Sequence, residues 1–440
     1  MIDLKQLRAD PERYRTAALN KRIDVDVDSL LELESEQRRL QSERQRLLEE
    51  KNSIGKQIGQ LASQTKKAAE SERATLQARM KELRSRPTEL KKQERALDDE
   101  LARIEPQVES LLLRVPQPPD DEVPIGEDDS DNVELRRWGE PRSFDFEPLD
   151  HVTLGQNLGI IDSSRGVKLA GARSYFLRGA GVLMHQAVLR LAFDTMLGRG
   201  FEPLSVPAIV RERAMQGTGY LPIGRDQCYA MEEDPICFLI GTAEVSLTAY
   251  HMDEILDESD LPRRYVAVSP CYRREAGTYG KDTAGLYRIH QFEKVEQVVV
   301  CRDDEAESRA WHEKILDNAE TVVKALELPY RVVHVCTGDL GQGQVAKYDI
   351  ETWMPSRDAY CETHSASRFY DFQTRRLALR YREESGRTHF CHTLNNTVIA
   401  SPRILIPLLE LNQNSDGSVS VPLALRPYMG DLDRITPPSA

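Results

Sequence analysis

Residues 269–300, SPCYRREAGTYGKDTAGLYRIHQFEKVEQVVV, set the architecture of this chain. Apolar, β-prone runs lie just before this stretch at 265–268 and at its end at 292–300. A loop rich in Gly, Asp and Thr separates them and carries Arg273, Arg274, Glu275, Lys281 and Arg288. Two strands joined by such a loop predict an antiparallel hairpin whose mouth suits an anion. An arginine fork binds phosphate through two charge-assisted bonds, and Phe292 offers a flat face for a base. Taken alone, the pattern also fits a surface hairpin with solvated charges.

Bulk properties narrow the class of protein. A length of 440 residues predicts two or three domains. The net charge of −13 excludes a general polyanion binder, so any nucleic-acid surface must be local. The seven cysteines include no CxxC pair, so no four-thiolate zinc site is expected, and their odd, scattered distribution fits a reducing cytoplasm. No run approaches the ~18 apolar residues of a spanning helix, and no apolar signal core opens the sequence, so we expect no membrane contact.

The first quarter of the chain shows a heptad pattern. After a short helical lead-in to about residue 27, apolar residues recur every seven positions in two series separated by a polar break. The first series is Leu33, Leu40, Leu47, Ile54 and Leu61, and the second is Leu76, Leu83, Leu90, Leu97, Ile104 and Leu111. Two such runs predict an antiparallel helical hairpin, a coiled-coil arm over about residues 30–112.

The charge of this arm differs from that of the remaining sequence. Residues 36–104 contain 17 basic and 12 acidic side chains, a net charge of +5, which leaves −18 for the remainder. A basic arm on an acidic body is the electrostatic pattern of an RNA-binding element. An ordinary solvated coiled coil with mixed charges fits the arm equally well.

The remaining sequence predicts a linker and a globular domain. Residues 115–149 are acidic and proline-rich without periodicity, which is typical of a linker. Residues 180–198 predict a long amphipathic helix, followed by a strand ending at Pro207. Apolar segments at 265–269, 295–300, 330–336, 346–353 and 389–394, with a helix at 305–326, predict a mainly antiparallel sheet with helices packed on it, an α+β fold. A last helix should begin near Pro402 and end at 416–417.

Several short motifs occur together in a fixed order. They are TAE at 242–244, RREAG at 273–277 with HQFEKVE at 290–296, ETHSAS at 362–367 with DFQTRR at 371–376, and SPRILIP at 401–407. Together they resemble the motifs of class II aminoacyl-tRNA synthetases, specifically the seryl-tRNA synthetase family, over essentially the whole chain. The resemblance implies an N-terminal tRNA-binding domain at 1–114, a linker and entry segment at 115–149, a class II catalytic domain at 150–440, and a homodimer formed through the helix–strand unit near 180–207.

The resemblance also implies an activity and an ATP site. The expected reaction joins L-serine to tRNA(Ser), and to tRNA(Sec), through a seryl-adenylate with release of AMP and pyrophosphate. Arg273 would bind the α-phosphate and the serine carboxylate, Arg403 the γ-phosphate, and Glu362 with Ser365 the Mg²⁺ on the triphosphate. The expected ATP-binding residues are Arg273, Arg274, Glu275, Ile289, Phe292, Glu362, Thr363, His364, Ser365 and Arg403, of which Arg273, Glu275, Glu362 and Arg403 are the expected catalytic set.

The serine pocket follows from the same resemblance. Thr242, Ala243 and Glu244 would meet the substrate ammonium group together with Arg273 at the carboxylate, and Glu296 with Thr397 would bind the side-chain hydroxyl. A buried carboxylate that needs a donor rejects alanine strongly. The sequence offers no cysteine or histidine cluster for zinc, so a zinc-based serine pocket is not expected.

The arm would grip the long variable arm of tRNA(Ser), with Arg38, Arg39, Arg44 and Arg46 as candidate contacts. Two positions depart from the family pattern: Arg274 stands where serine is frequent, and Cys361 stands where a basic residue is usual. Two alternatives remain open. One is a paralogue that loads a carrier protein, although such proteins typically lack the arm. The other is a non-catalytic tRNA-binding paralogue, although that would predict loss of the key charged residues.

Overall fold

Four helices begin the chain: α1 (Leu4–Ala9), α2 (Pro11–Asn20), α3 (Val27–Lys67) and α4 (Glu70–Leu112). In the computed structural model the described residues are 1–277 and 285–438. The tip of the basic loop, residues 278–284 with Lys281, lies outside them, as do residues 439–440. The predicted helical lead-in and both arm helices are confirmed.

The two long helices run antiparallel. Ion pairs join Arg44 to Asp98 at 2.6 Å and Lys51 to Glu94 at 2.7 Å, so residue numbers rise along α3 as they fall along α4. At its start, α3 is capped by Asp26, whose carboxylate accepts the first-turn hydrogen bond. The predicted helical hairpin is therefore confirmed.

The core of the arm follows most of the predicted heptad positions. Leu47, Ile54 and Leu90 form an apolar cluster of the arm's own. At the base of α4 the pattern shifts, because Leu112 is buried whereas the predicted Leu111 is only partly buried. A straight α-helix drifts by ~20° per heptad, which moves the buried position to the next residue over several turns.

The remaining elements belong to the globular part of the chain. Up to the basic loop they are β1 (Val133–Trp138), α5 (His151–Asn157), β2 (Ile161–Asp162), α6 (Ser163–Ala170), β3 (Phe176–Leu177), α7 (Ala180–Gly198), β4 (Glu202–Pro203), β5 (Ile209–Arg211), α8 (Glu212–Thr218), β6 (Ala230–Met231), β7 (Cys237–Leu239), α9 (Glu244–Thr248), β8 (Ile255–Asp257) and β9 (Arg263–Tyr272). After it come β10 (Gln291–Cys301), α10 (Glu305–Ala325), β11 (Tyr330–His334), β12 (Ala346–Met354), β13 (Ala359–Tyr370), α11 (Phe372–Leu377), β14 (Arg380–Arg382), β15 (Thr388–Phe390), β16 (His392–Ser401), α12 (Leu405–Leu411), β17 (Val419–Ser420) and β18 (Arg434–Ile435).

One eight-stranded sheet organises this part. Its strand order is β1-β11-β12-β13-β16-β10-β9-β4, and every pairing is antiparallel except that of β4 with β9. Apolar side chains of α7 and α10, such as Val188 and Ile315, share one core with Val299 of β10 and Leu394 of β16. The predicted antiparallel sheet with helices on it is confirmed.

Several predicted boundaries were wrong. The strand expected to end at Pro207 ends at Pro203, and the apolar run at 389–394 is divided between β15 and β16. The last helix is shorter than predicted, since α12 covers only Leu405–Leu411. Beyond it, the N–H of Asn414 donates to the carbonyl of Ser418 in a turn with Gly417 at φ +78°, which no helix can include.

The chain forms two compact units. One unit comprises Lys5–Pro11 and Asp24–Val115, and the other comprises Met1–Leu4, Glu12–Ile23 and Pro116–Ala440. Within the larger unit, the buried ammonium of Lys21 donates to the carbonyls of Gly341, Gln342 and Gln344. Most of α2 therefore belongs with the sheet-containing unit.

The segment predicted as a linker is built into that same unit. Its strand β1 pairs with β11 at the edge of the large sheet. Arg368, which is 1% exposed on β13, forms ion pairs with Asp120 and with Glu122, and Tyr370 donates to Asp120 at 2.9 Å. Across residues 1–277 and 285–438, no helix is both long enough and apolar enough to cross a membrane.

Arg368→Ala should lower the free energy of unfolding by about 3–5 kcal/mol, because it leaves the buried Asp120 carboxylate short of its main partner. Denaturant midpoints of the wild type and the variant measure this loss. Arg434→Ala, which removes an exposed pair with Asp416 at 3.3 Å, is the control and should change the midpoint little. Equal effects of the two substitutions would contradict this assignment.

Candidate functional site

A cleft over β10, β13 and β16 collects most of the predicted ATP-site residues. Those that line it are Arg273, Glu275, Ile289, Phe292, Glu362, Thr363, His364, Ser365 and Arg403, and Thr397 of the predicted serine pocket lines it as well. Arg274 does not line the cleft: it is exposed, and its backbone N–H donates to the carbonyl of Gln227 at 2.9 Å. The predicted residue Glu296 and the stretch 242–244 are buried nearby in the same unit.

Arg273 lies immediately after β9. Its backbone N–H donates to the carbonyl of His290 at 3.0 Å, which continues the hairpin by one pair. Its Nε donates to the carbonyl of Gly241 at 3.3 Å, and its guanidinium carbon is 5.3 Å from the ring centre of Phe292. These contacts hold the guanidinium beside the ring of Phe292. A guanidinium binds phosphate and an aromatic ring stacks on a base, so the pair suits a nucleotide.

Glu275 lies in the predicted loop after β9. β9 ends at Tyr272, and Glu275 adopts a left-handed backbone conformation with φ +46°. Arg288 holds its carboxylate at 2.9 Å, and Arg173 donates to its carbonyl at 3.0 Å. The turn therefore aims Glu275 into the cleft by its backbone conformation instead of by strand alternation.

A bulge on β13 shapes the wall opposite. Ile350 pairs with His364 and Glu351 pairs with Glu362, so Thr363 is the extra residue. Glu362 is reachable from solvent within the cleft. Burial works against its ionisation, yet the cations around it, Lys347, Arg403, Arg273 and Lys294, hold the pKa of Glu362 below its ordinary value. Bulges re-aim side chains in this way next to binding sites.

Two further groups behind this wall are buried. Burial lowers the pKa of His364 to about 3, so its imidazole is neutral, and Thr363 lies 2.8 Å from its Nδ1. Burial raises the pKa of Asp349 to about 7, against the opposing charge of Lys347 at 3.0 Å. Within the described residues, Oδ1 of Asp349 is buried and accepts no hydrogen bond.

Arg403 occupies the turn between β16 and α12, two residues before the helix begins. Its Nε donates to the carbonyl of Tyr287 at 3.1 Å and one terminal nitrogen donates to the carbonyl of Glu362 at 3.2 Å. Its guanidinium also lies over the Tyr287 ring at 4.5 Å. The sequence placed Arg403 inside a helix; the turn instead extends it across the cleft wall.

Glu244, the first residue of α9, is a buried carboxylate with neutral partners. Gln373 donates to it at 2.8 Å and the Tyr220 hydroxyl at 3.1 Å, while its own N–H donates to the Thr242 hydroxyl at 3.1 Å. Burial and the negative charge of Glu296 raise the pKa of Glu244 to about 7. Among the described residues it makes no ion pair within 4 Å.

Glu296, Thr397 and Lys294 form a buried trio on β10 and β16. Glu296 pairs with Thr397 across a register shift in which Val398 is the extra residue. Lys294 Nζ lies 2.6 Å from the Glu296 carboxylate and donates to the Thr397 hydroxyl at 3.1 Å, and that hydroxyl donates to Glu296 at 3.3 Å. The structure thus brings together the two predicted hydroxyl-binding residues.

Comparison with known proteins agrees with this geometry. The family model for the seryl-tRNA synthetase N-terminal domain matches residues 1–119, and that for the tRNA synthetase class II core domain (G, H, P, S and T) matches residues 229–412. The serine–tRNA ligase of Deinococcus radiodurans is 43% identical, with 100% of both chains covered. The chain belongs to the seryl-tRNA synthetase family.

Other members of the seryl-tRNA synthetase family extend the similarity to structure. The serine–tRNA ligase of Fervidobacterium nodosum is 40% identical, with 98% of each chain covered. The crystal structure of the seryl-tRNA synthetase from Pyrococcus horikoshii complexed with ATP matches over 100% of both chains, with a TM-score of 0.87 and 37% identity.

The arm arginines of this family member lie on α3. Arg38 pairs with Glu34, Arg39 with Glu36 and Arg44 with Asp98, each within 3.0 Å, and Arg46 is exposed. The pairs of Arg39 and Arg44 are exposed on both sides and contribute little stability, so these two guanidinium groups can exchange a carboxylate for a phosphate at small cost. The partner of Arg38 is the buried Glu34.

Sequence reasoning missed several residues of the site. Lys294 lies inside the motif HQFEKVE, two residues before Glu296. Residues two apart on a strand share a face, so this spacing could have placed Lys294 beside Glu296. Tyr220 and Gln373 reach Glu244 from 24 and 129 residues away, so no local pattern identified them.

The raised pKa of Glu244 gives a stability prediction. Between its ordinary pKa of 4.5 and its folded value of about 7, the folded chain holds a proton that the unfolded chain releases. Stability should therefore fall as pH rises through that window, by at most about 3 kcal/mol. Denaturant midpoints at pH 5 and pH 8 measure this, and Glu244→Gln should show a smaller difference. The same pH dependence in both proteins would rule out Glu244 as its source.

Proposed function

We propose that this chain attaches L-serine to tRNA(Ser), with ATP, through a seryl-adenylate and with release of AMP and pyrophosphate. The observation that carries the proposal is the buried pair Glu244 and Glu296: among the described residues Lys294 pairs with Glu296, and Glu244 has no ion pair within 4 Å. An amino-acid ammonium at Glu244 would supply the missing positive charge. The side-chain hydroxyl of serine would donate a hydrogen bond to Glu296 beside Thr397. Alanine has no such donor and would leave the buried carboxylate without that hydrogen bond.

ATP is placed by the cations of the adjoining cleft. In the activation step a serine carboxylate oxygen attacks the α-phosphorus, and since the carboxylate is already ionised, no general base is required. The protein must align the reactants and neutralise charge, which Arg273 and Arg403 would do at the phosphates while Phe292 stacks on adenine. The similarity to a synthetase crystallised with ATP supports this placement.

Magnesium fits the residues of the β13 wall. Glu362 and Ser365 offer the oxygen ligands that Mg²⁺ prefers, and Asp349, paired with Ser365 across β12 and β13, has a buried oxygen without a donor. Glu362 and Ser365 would hold the ion, which would neutralise charge on the triphosphate. Within the described residues no group of three or more His, Cys, Asp or Glu side chains is placed to hold a metal ion.

The arm is proposed as the tRNA reader. Residues 36–104 of the arm carry a net charge of +5 against −13 for the whole chain, and tRNA binding depends on phosphate contacts. Arg38, Arg39, Arg44 and Arg46 are the candidate contacts. The same arm would also bind tRNA(Sec), and the reaction would take place in the cytoplasm.

A homodimer is proposed from the surface around α6, β3 and α7. The apolar side chains Leu169, Phe176, Val182 and Leu183 are 76, 43, 40 and 46% exposed. The first three border a large groove that also includes Tyr175 and Leu177. An apolar surface of this kind marks a protein contact, and a second copy of the chain is the proposed partner.

Serine-dependent exchange of pyrophosphate into ATP tests the activity. The wild type should exchange with serine and far less with alanine or threonine. Glu296→Ala should lose exchange with serine by about 10² or more, because it removes the hydroxyl acceptor, while ATP binding changes little. Exchange with serine at the wild-type rate in Glu296→Ala would remove this residue from the pocket.

Deletion of residues 30–112 tests the arm. The truncated chain should keep serine-dependent exchange, because all residues proposed for ATP and serine lie after residue 240 and the arm has its own core. The truncated chain should lose most tRNA charging. In the full chain, neutralising Arg38 and Arg46 should raise the KM for tRNA and make that KM depend less on salt concentration. Equal retention of exchange and charging would favour a protein that loads another carrier.

A further inference from the structure

The basic loop returns towards β10 through residues 285–289, which form neither helix nor strand in the described part of the loop. Strand pairing does not fix this segment, yet it carries the cleft residues Tyr287 and Ile289. Leu286 is 0% exposed and packs in the core of the sheet-containing unit. A buried backbone N–H needs a partner, and that of Leu286 donates to Nε2 of His151 at 3.2 Å.

His151, the first residue of α5, uses both ring nitrogens. Because its Nε2 accepts from Leu286, its Nδ1 carries the ring proton and donates to Glu410 at 2.8 Å. The backbone N–H of His151 donates to the same carboxylate at 3.0 Å. Glu410 therefore fixes both the tautomer and the orientation of the imidazole.

Glu410 is itself held in one position. It is 0% exposed on α12, and the N–H and the hydroxyl of Ser356 donate to its carboxylate at 2.9 and 2.8 Å. Burial works against its ionisation, yet the hydrogen bonds from His151 and Ser356 hold the pKa of Glu410 below its ordinary value. The carboxylate is therefore a fixed, ionised acceptor at neutral pH.

The contacts return to the cleft at Arg403. The carbonyl of Tyr287 accepts from Nε of Arg403 at 3.1 Å, and the guanidinium lies over the ring of Tyr287 at 4.5 Å. Arg403 and Glu410 both belong to the turn and helix that follow β16. The contacts thus form a closed circuit whose members are Glu410, His151, Leu286, Tyr287 and Arg403.

Gly285 lets the loop approach the imidazole. Its backbone has φ +81°, and a Cβ there would lie 2.4 Å from Nε2 of His151. Any other side chain would displace either the ring or the loop. The loop backbone is therefore shaped to receive this imidazole.

We propose that His151 is a positioning residue for the activation step. This rests on the proposed function, in which Arg403 binds the phosphates of ATP. By holding the N–H of Leu286, Nε2 of His151 fixes the carbonyl of the next residue, Tyr287, and that carbonyl aims the guanidinium of Arg403. A cation aligned in advance stabilises the charge that leaves with pyrophosphate without reorganising during the reaction.

Two substitutions separate the roles of the ring nitrogens. The amide of asparagine reaches the position of Nδ1, and that of glutamine reaches the position of Nε2. His151→Asn should keep the bond to Glu410 and lose the bond to Leu286, so kcat/KM for ATP in pyrophosphate exchange should fall about tenfold. The KM for serine should stay unchanged. His151→Gln keeps the acceptor for Leu286 and should exchange within about twofold of the wild type.

The denaturant midpoint should change in the opposite order. His151→Gln should lower it more than His151→Asn, because it leaves the buried carboxylate of Glu410 without its imidazole donor. A purely structural role would lower exchange and stability together in both variants. Equal losses of exchange in the two variants, or wild-type exchange in His151→Asn, would overturn the proposal. Should His151→Asn fail to fold, loss of exchange in folded His151→Gln overturns it.

A double substitution tests whether His151 acts through Arg403. Arg403→Ala removes the cation that is positioned, so adding His151→Asn should cause almost no further loss of kcat/KM for ATP. A further loss as large as that in the wild-type background would contradict positioning through Arg403.

His251 provides a matched control. Its Nδ1 lies 2.6 Å from Glu254 and its Nε2 lies 2.7 Å from the hydroxyl of Tyr265, and it does not line the cleft. His251→Asn and His251→Gln should therefore both exchange as the wild type does, and a loss equal to that of His151→Asn would contradict a specific role for His151. Wild-type exchange that does not depend on serine would contradict the proposed function instead, so the two failures are distinguishable.

Discussion

The ligand that the site can bind depends on the balance of charge among the buried groups beside the cleft. Glu244 and Glu296 are both buried, and burial together with the charge of Glu296 raises the pKa of Glu244. Lys294 neutralises Glu296 directly at 2.6 Å, whereas the described residues that donate to Glu244, Tyr220 and Gln373, are neutral. The folded chain therefore keeps a carboxylate that gains a proton or a cation near neutral pH. A binding site that is one positive charge short selects a ligand with an ammonium group.

The sheet fixes the positions of the charged and polar side chains in this site. Antiparallel pairing puts Glu296 opposite Thr397 and Glu362 opposite Glu351, at the short distances of cross-strand neighbours. Each pairing lies at a register shift, where one strand carries an extra residue and the local side-chain direction changes. Two of the cations lie in loops outside these strand pairs: Arg273 follows β9 and Arg403 precedes α12. Rigid strands thus hold the anionic groups while loop ends bring the arginines over them.

Local patterns predicted the parts of the fold that depend on neighbours in sequence. The heptads located the arm because each leucine repeats within one helix, and the motifs located Arg273, Glu362 and Arg403. β13 was not predicted, since its polar run CETHSAS has no apolar alternation and is a strand only because β12 and β16 flank it. The left-handed turn at Glu275 depends on contacts with Arg173 and Arg288. A distant partner such as Tyr220 meets the site only through tertiary packing, so no spacing in the sequence reveals it.

Calorimetric titration of L-serine into the chain, in buffers of different ionisation heat, measures the protons exchanged on binding. If Glu244 receives the serine ammonium, binding must fix it as a carboxylate. With a pKa of about 7 in the free chain, serine should then release about half a proton per chain at pH 7, and less as the pH rises to 8. Glu244→Gln should release none. Tight serine binding with no proton release at pH 7 would contradict the placement of the substrate ammonium at Glu244.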